Sequence, residues 1–440
     1  MPDHLPKPVR PSRRSVLAAL GAAPLGAAAL AAAAPLAAHA EPNGGAAAAS
    51  ADPDELFASG RFAAADAGYR RILVRQPDHA HALAQRGYIA LLSNDFEDAE
   101  RFLSRAIEVA PDDVASKARL ADCHVRQGKA EAAVPLLLAS GQQAKAAQYA
   151  AMVGHRPFEP HGEPVDRLPL LHLDPLPVLE ASCNGHRARY FFDTGATVVI
   201  GAATALAAGV EALASEDLQQ GGKPHRFNYG VADSFALGGL ELRHVPVMWT
   251  ESPTAMPPVP DADEQPTGVI GTTLISHLLA TLDYGRREMV VRRPTAQQRR
   301  AFRAESARAR ASVMPFWMAP DHFLFAPATV EGHGPRVCSI DTGGPGIGLV
   351  VTEADAEMLG LEVDYDDEQH FFGKPVYPFT GASVRMGKIR RDVPGIAGDL
   401  NYSLARGGFR SLGNVSHEFF RPLAFTFDFV DMRLSLARTT

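Results

Sequence analysis

Residues 186–197 read His-Arg-Ala-Arg-Tyr-Phe-Phe-Asp-Thr-Gly-Ala-Thr. The stretch follows Asn184-Gly185, a pair that suits the positive φ angles of a two-residue hairpin turn, and Leu176–Cys183 supplies an apolar partner strand. A hairpin is therefore predicted over 176–192, its second strand running directly into Asp193-Thr194-Gly195-Ala196. The same construction returns later in the chain. Phe323–Val330 is followed by a turn at Glu331-Gly332-His333-Gly334, and Pro335–Ile340 then runs into Asp341-Thr342-Gly343-Gly344. The two aspartates are 148 residues apart.

Further echoes point to an internal duplication. Leu237-Gly238-Gly239-Leu240 leading to Val245-Pro246 matches Met386-Gly387-Lys388-Ile389 leading to Val393-Pro394, and Leu282-Asp283-Tyr284 matches Phe427-Asp428-Phe429. Val269-Ile270-Gly271 is matched to Ser411-Leu412-Gly413, which requires a three-residue insertion near Val415–Glu418. One Asp-Thr-Gly tripeptide is a weak sign, but two in matching order with the same flanking elements are a strong one.

These residues resemble the aspartic peptidases, and within them the retropepsin-like branch, whose short lobes begin with Asp-Thr-Gly-Ala as Asp193–Ala196 do. The resemblance covers about 170–440. It implies two all-β barrel lobes in one chain, like the pepsin arrangement, with Asp193 and Asp341 as the catalytic pair. Hydrolysis of an unactivated amide needs a base for water and an acid for the carbonyl or amine, and two close carboxylates sharing one proton supply both. Thr194 and Thr342 are expected to bond across the pair, Gly195 and Gly343 to let backbone approach the carboxylates, and Ala196 to complete the first turn. Gly344, with Pro345-Gly346 after it, departs from the family pattern and predicts a looser second turn. The resemblance implies no metal or organic cofactor. It also implies flaps over the substrate, placed here at Tyr229-Gly230 and Phe372-Gly373, where an aromatic sits beside a glycine. Asp283 and Asp428 read as strand-end structural residues, and Cys183 and Cys338 as small core residues. A duplicated barrel that binds peptides without cutting them is the alternative, since fold does not fix activity.

Upstream the chain is helical in pattern and repeats every 34 residues. Pro77 and Pro111 keep that step, as do Ala65, Ala99 and Ala133; Tyr69, Leu103 and Leu137; and Gly60, Asn94 and Gly128. A small residue at a close helix crossing, a large apolar one a turn later and a closing proline are what stacked helical hairpins need. The spacing resembles the tetratricopeptide repeat, with Gly87 at that family's first-helix glycine and Ala121 in the third repeat. The array either docks a protein partner or substrate, or spaces and caps the β region on its C-terminal side. His79 and His81 are either a metal pair or turn histidines.

Residues 1–40 carry Lys7, Arg10, Arg13 and Arg14, an Ala/Leu-rich run and Ala38-His39-Ala40, which reads as a cleaved export signal rather than an uncut anchor. Ser12-Arg13-Arg14-Ser15-Val16-Leu17 resembles the twin-arginine signal. A formal charge of −7 argues against nucleic acid as a partner, and three cysteines exclude a disulfide framework. No second run is apolar enough to hold the chain in a membrane after cleavage.

The reading as a whole is a multidomain α + β chain. It comprises a signal over 1–40, a linker over 41–51, a tetratricopeptide array over 52–147, a first lobe over 165–293, an Arg-rich linker over 294–312 and a second lobe over 313–440. The linker is either a solvated helix or a docking site for an acidic partner. The expected function is an exported aspartic endopeptidase, periplasmic or secreted, acting on peptides or proteins; the alternative is an inert peptide-binding scaffold of the cell envelope.

Overall fold

The computed structural model describes residues 51–220, 223–251, 256–320, 322–371, 373–399 and 407–439. The expected signal over 1–40 and nearly all of the linker after it lie outside them, as does Phe372. No described helix is long and apolar enough to cross a membrane.

The described residues begin with seven helices: α1 (Pro53–Ala58), α2 (Phe62–Arg75), α3 (Ala80–Leu92), α4 (Phe96–Val109), α5 (Val114–Arg126), α6 (Ala130–Ala139) and α7 (Gln143–Ala150). The starts of α2, α4 and α6 keep the 34-residue step, as do those of α3 and α5. Gly60, Asn94 and Gly128 all have φ between +54° and +77°, so each repeat enters its next helix through one left-handed residue. Ala65, Ala99 and Ala133 are wholly buried. A Cβ on Gly87 would lie 2.6 Å from the Leu103 side chain, which is why that helix crossing takes glycine. Asp52, Asp95 and Asp113 cap their helices by accepting backbone N–H groups. His79 does the same for α3 through Nδ1, while His81 Nε2 lies 2.7 Å from Asp54. His79 thus serves as a helix cap, and His81, in the first turn of α3, as a partner of Asp54.

The β region opens with β1 (Glu159–Gly162) and β2 (Val165–Pro169), then β3 (Val178–Cys183) and β4 (His186–Phe192), joined by Asn184 and Gly185 at φ +47° and +80°. Helix α8 (Ala202–Ala207), β5 (Ala214–Gln220), β6 (Lys223–Leu237), β7 (Leu240–Thr250), β8 (Gly268–Ile270) and α9 (Thr272–Ile275) complete the first lobe's main sheet and its cover. Then come β9 (Leu279–Asp283), β10 (Glu288–Arg292) and α10 (Ala296–Arg308).

The second lobe repeats the first. It comprises β11 (Ser312–Pro315), β12 (Trp317–Met318), β13 (Leu324–Val330), β14 (His333–Asp341), β15 (Leu349–Val351), α11 (Glu353–Leu359), β16 (Gln369–Phe371), β17 (Lys374–Met386), β18 (Ile389–Ala397), β19 (Asn414–Ser416), α12 (His417–Phe420), β20 (Leu423–Asp428) and β21 (Arg433–Arg438). The turn between β13 and β14 is two residues, Glu331-Gly332, shorter than the four expected, and strand pairing resumes at His333.

The pairing of β4 with β8 and of β14 with β19 is parallel and sets the true correspondence of the lobes. Phe192 pairs with Ile270, and Ile340 with Val415. Gly271 therefore matches Ser416, and Gly413 matches Gly268, so the expected three-residue insertion does not exist. The physical role confirms it: a Cβ on Gly268 would strike the Val199 carbonyl at 2.4 Å, and one on Gly413 the Val350 carbonyl at 2.7 Å.

A six-stranded sheet in the order β11-β21-β20-β9-β10-β2 joins the two lobes. At its centre β9 and β20 run antiparallel, and Thr281 Oγ1 meets Thr426 Oγ1 at 2.7 Å. This is the local two-fold relating the halves. Asp283 and Asp428 accept backbone N–H groups from the turns that follow them. One continuous apolar core runs through both lobes.

The Arg-rich segment is α10, and it is not simply solvated. Arg299 and Arg303 both pair with Asp431, Arg292 is buried with its guanidinium on Thr281 and Glu305, and Ser306 meets Ser435 at 2.7 Å.

The helical array shares a core with the second lobe. Leu56, Phe57, Phe62, Tyr88 and Leu91 are buried together with Phe323, Phe325, Val337 and Phe409. At its other end, Gln148 of α7 donates to the carbonyls of Gly230 and Val247.

Candidate active site

Two strands deliver the two Asp-Thr-Gly turns to one point. Asp193 stands at the end of β4, its N–H bonded to the Ile270 carbonyl, and Asp341 closes β14 beside Ser416. The turns interlock through their threonines. The Thr194 N–H donates to Thr342 Oγ1 at 3.0 Å, and the Thr342 N–H donates to Thr194 Oγ1 at 3.1 Å. Thr194 Oγ1 is 3.4 Å from the Ile340 carbonyl and donates to it. Both threonines are fully buried, so these bonds are not shared with water.

The glycines set the distance between the carboxylates. A Cβ on Gly195 would fall 2.3 Å from the Asp341 carboxylate, and one on Gly343 would fall 2.3 Å from Asp193 Oδ2. Each acid thus rests on the glycine of the opposite turn, a position no other residue could fill. Within each turn the glycine N–H donates to its own aspartate, Gly195 to Asp193 Oδ1 at 2.7 Å and Gly343 to Asp341 Oδ1 at 3.0 Å. Asp193 is 5% exposed. The two carboxylates are thereby brought close together where the turns meet.

Outside the turns, the support differs between lobes. Thr272 Oγ1 donates to the Thr194 carbonyl at 2.7 Å, and Ser416 Oγ donates to the Asp341 carbonyl at 2.6 Å. Ala196 is fully buried, and Gly271 lets its carbonyl approach, since a Cβ there would lie 1.9 Å from it. In the second lobe the sizes are exchanged: Ser416 takes the place of Gly271, and Gly344 the place of Ala196. A Cβ on Gly344 would lie 2.5 Å from Ser416 Oγ. Gly344 is therefore fitted to Ser416, and the second turn is held rather than loose.

The first flap placement needs correction. Tyr229 and Gly230 lie inside β6, paired with Met248 and Val247 of β7, and Tyr229 also pairs with Ala214 of β5. Tyr229 is 8% exposed and its hydroxyl donates to Glu216 at 3.1 Å, so it is part of the hairpin's base. The β5–β6 hairpin reverses between Gln220 and Lys223 instead. Gly230 serves close packing against Val210 and Trp249 rather than a turn. Gly373, with φ +75°, does stand at a reversal, between β16 and β17.

Three further side chains near the site are buried without any sequence motif to mark them. His322 is fully buried and its Nε2 is 3.1 Å from the Gly195 carbonyl. Tyr284 and His417 meet at 3.1 Å, and burial pushes the tyrosine well above its usual range and the histidine down to about 3, so both are neutral. No local motif marks these residues; each partner is more than a hundred positions away. The three cysteines are free and buried, and desolvation raises each thiol to about 12, which leaves them without thiolate character at neutral pH.

Two family profiles match the chain. One, described as aspartyl protease, covers residues 179–274, and one, described as tetratricopeptide repeat, covers residues 90–155. No curated protein matches in sequence. Among solved structures, the aspartic proteinase from Irpex lacteus is similar over 63% of this chain and 98% of its own length, at 11% identity and a TM-score of 0.40.

Proposed function

We propose that this chain is an aspartic endopeptidase whose Asp193 and Asp341 activate a water between them. The observation that carries the reading is the reciprocal threonine bonding, Thr194 to Thr342 and back, which brings each carboxylate over the opposite glycine. The aspartyl protease profile over 179–274 supports it for the first lobe, and the duplication extends it to the second.

The ionised carboxylate takes a proton from water while its protonated neighbour donates to the carbonyl oxygen of the scissile bond. The resulting tetrahedral intermediate collapses as the amine leaves with a proton from the pair. Thr194, Gly195, Ala196, Thr342 and Gly343 hold the acids in register during this exchange, and small displacements there are costly. An extended peptide lies under the β5–β6 and β16–β17 hairpins, which pair with its backbone, so preference is set by side-chain pockets. The unit comprises the two lobes, expected over 165–293 and 313–440, with β1 (Glu159–Gly162) added to the first through its pairing with β7 and β11 opening the second at Ser312. The array over 52–147 docks a protein partner or substrate. Export through the Arg13-Arg14 signal delivers the protein to the periplasm or beyond.

The test is peptide-library cleavage by the protein without its signal, from acid to neutral pH, beside Asp193→Asn and Asp341→Asn. Cleavage is expected to vanish in both variants while folding is retained. Equal cleavage in all three proteins would overturn the reading, and peptide binding without cleavage in any of them would establish the scaffold alternative.

A further inference from the structure

The turn joining β12 to β13 touches two parts of the molecule at once. On one side it is anchored to the helices. Arg126 of α5 donates from Nη2 to the carbonyls of Met318 and Ala319 at 3.1 and 3.2 Å, while paired with Asp122 at 2.6 Å. Ala319 and Phe323 are buried in the core shared with the array, and the Ala319 N–H closes the turn on the Phe323 carbonyl at 2.8 Å. On the other side, His322 reaches the first Asp-Thr-Gly turn. Its Nε2 lies 3.1 Å from the Gly195 carbonyl, and because a carbonyl only accepts, Nε2 carries the proton and donates. The ring packs on Phe323 with centroids 4.1 Å apart.

Gly195 is where the site's geometry converges. Its N–H holds Asp193, and its Cα faces the Asp341 carboxylate. The carbonyl that His322 holds belongs to the next peptide plane. Since a peptide unit is rigid, fixing that oxygen fixes how Gly195 presents itself to Asp341. Gly195 is thus tied on its N–H side from within the lobe, and on its carbonyl side from the opposite lobe.

We infer that His322 is a positioning residue for the Asp193 turn, held in place by the helical array through Met318, Ala319 and Phe323. The inference rests on the peptidase reading of the aspartate pair. The array then does more than dock: Arg126 and the shared core keep a catalytic turn in register. Losing the donor leaves a buried carbonyl unpaired and lets the turn relax, so the cost falls on the chemical step rather than on binding.

The experiment compares His322→Leu and His322→Asn, which cannot donate to this carbonyl, with His322→Gln, whose amide reaches it, in the protein without its signal. Leu and Asn are expected to lower kcat by roughly 10- to 100-fold with KM changed by less than about two-fold, and Gln to restore most of it. A second readout does not depend on activity: amide exchange over residues 190–198 should quicken in the Leu and Asn variants and return toward the parent rate in Gln. Unchanged kcat with unchanged exchange overturns the inference, as does a rise in activity on removing the histidine, which would make it a plug. If the parent protein cleaves nothing, the peptidase reading fails and the exchange comparison alone decides whether His322 orders the turn. If Leu fails to fold, the Asn and Gln pair carries the same comparison.

Discussion

Gly344 and Ser416 illustrate how the second half-site departs from the first without losing order. The Ser416 hydroxyl donates to the Asp341 carbonyl and occupies the space a side chain at 344 would need. Gly344→Ala should therefore destabilise the protein by about 1–2 kcal/mol and lower activity, yet add almost nothing in a Ser416→Ala background. Thermal unfolding of the four proteins of this cycle checks the coupling. Two desolvated histidines, His417 wholly buried and His277 half-buried, make a second residue-level demand. Burial lowers His277, stacked on Phe158 at 3.9 Å, and His417 to about 3. Between about pH 6.5 and 3 the unfolded chain binds a proton at each site and the folded protein does not, so stability is complete above that window and is lost as pH falls through it. Each group costs up to about 4 kcal/mol at the acid end. The melting temperature should fall steadily below pH 6.5, and His277→Phe, which keeps the stack, should flatten the slope. An unchanged slope in that variant would locate the acid lability elsewhere.

At the scale of elements, α7 and the β5–β6 hairpin form one unit. Gln148 satisfies the Gly230 and Val247 carbonyls at 2.7 and 3.0 Å, and Ala144 packs with Phe227, Tyr229 and Met248. Gln148→Ala removes both buried bonds, an expected loss of about 1–2 kcal/mol. Hydrogen exchange should rise in β6 and β7 more than in β17 and β18, their counterparts in the other lobe. An even rise would mean that α7 does not brace this hairpin in particular. The hairpin also accounts for the flap position: Tyr229 reads as an exposed tip aromatic, whereas its burial with Phe227 against α7 puts it at the hinge end. Nothing local separates the two readings, because a mid-strand glycine and a turn glycine look alike until a partner strand is assigned.

The described residues are built as one body rather than as a β domain with a helical attachment. Phe323, Phe325, Val337 and Phe409 of the second lobe are buried against Phe57, Phe62 and Tyr88 of the array. Removing residues 52–150 would expose this apolar face, so the trimmed protein should aggregate or fail to fold instead of becoming more active. Size-exclusion chromatography and cleavage assays on the truncated chain decide the matter; a monodisperse, more active product would establish that the array is an inhibitory segment. The interlobe sheet, centred on Thr281 and Thr426, likewise joins the two lobes within one chain.

The features that short-range chemistry controls were legible from the residues alone: the Asn184-Gly185 hairpin, the 34-residue step with its left-handed Gly60, Asn94 and Gly128, and the two Asp-Thr-Gly turns. Each depends on residues within a turn or a helix crossing, where φ limits and side-chain size act locally. The lobe alignment was not legible. Gly413 looked like the partner of Gly271, and only the parallel pairing of β14 with β19 reveals Ser416 there and Gly268 as the true partner of Gly413. The tertiary structure alone also decided that His322 meets Gly195, that α7 braces the hairpin and that Arg126 holds the turn beside the site. These contacts join residues remote in the chain, and a linear sequence carries the chemistry of each partner but not the closure in space that makes them neighbours.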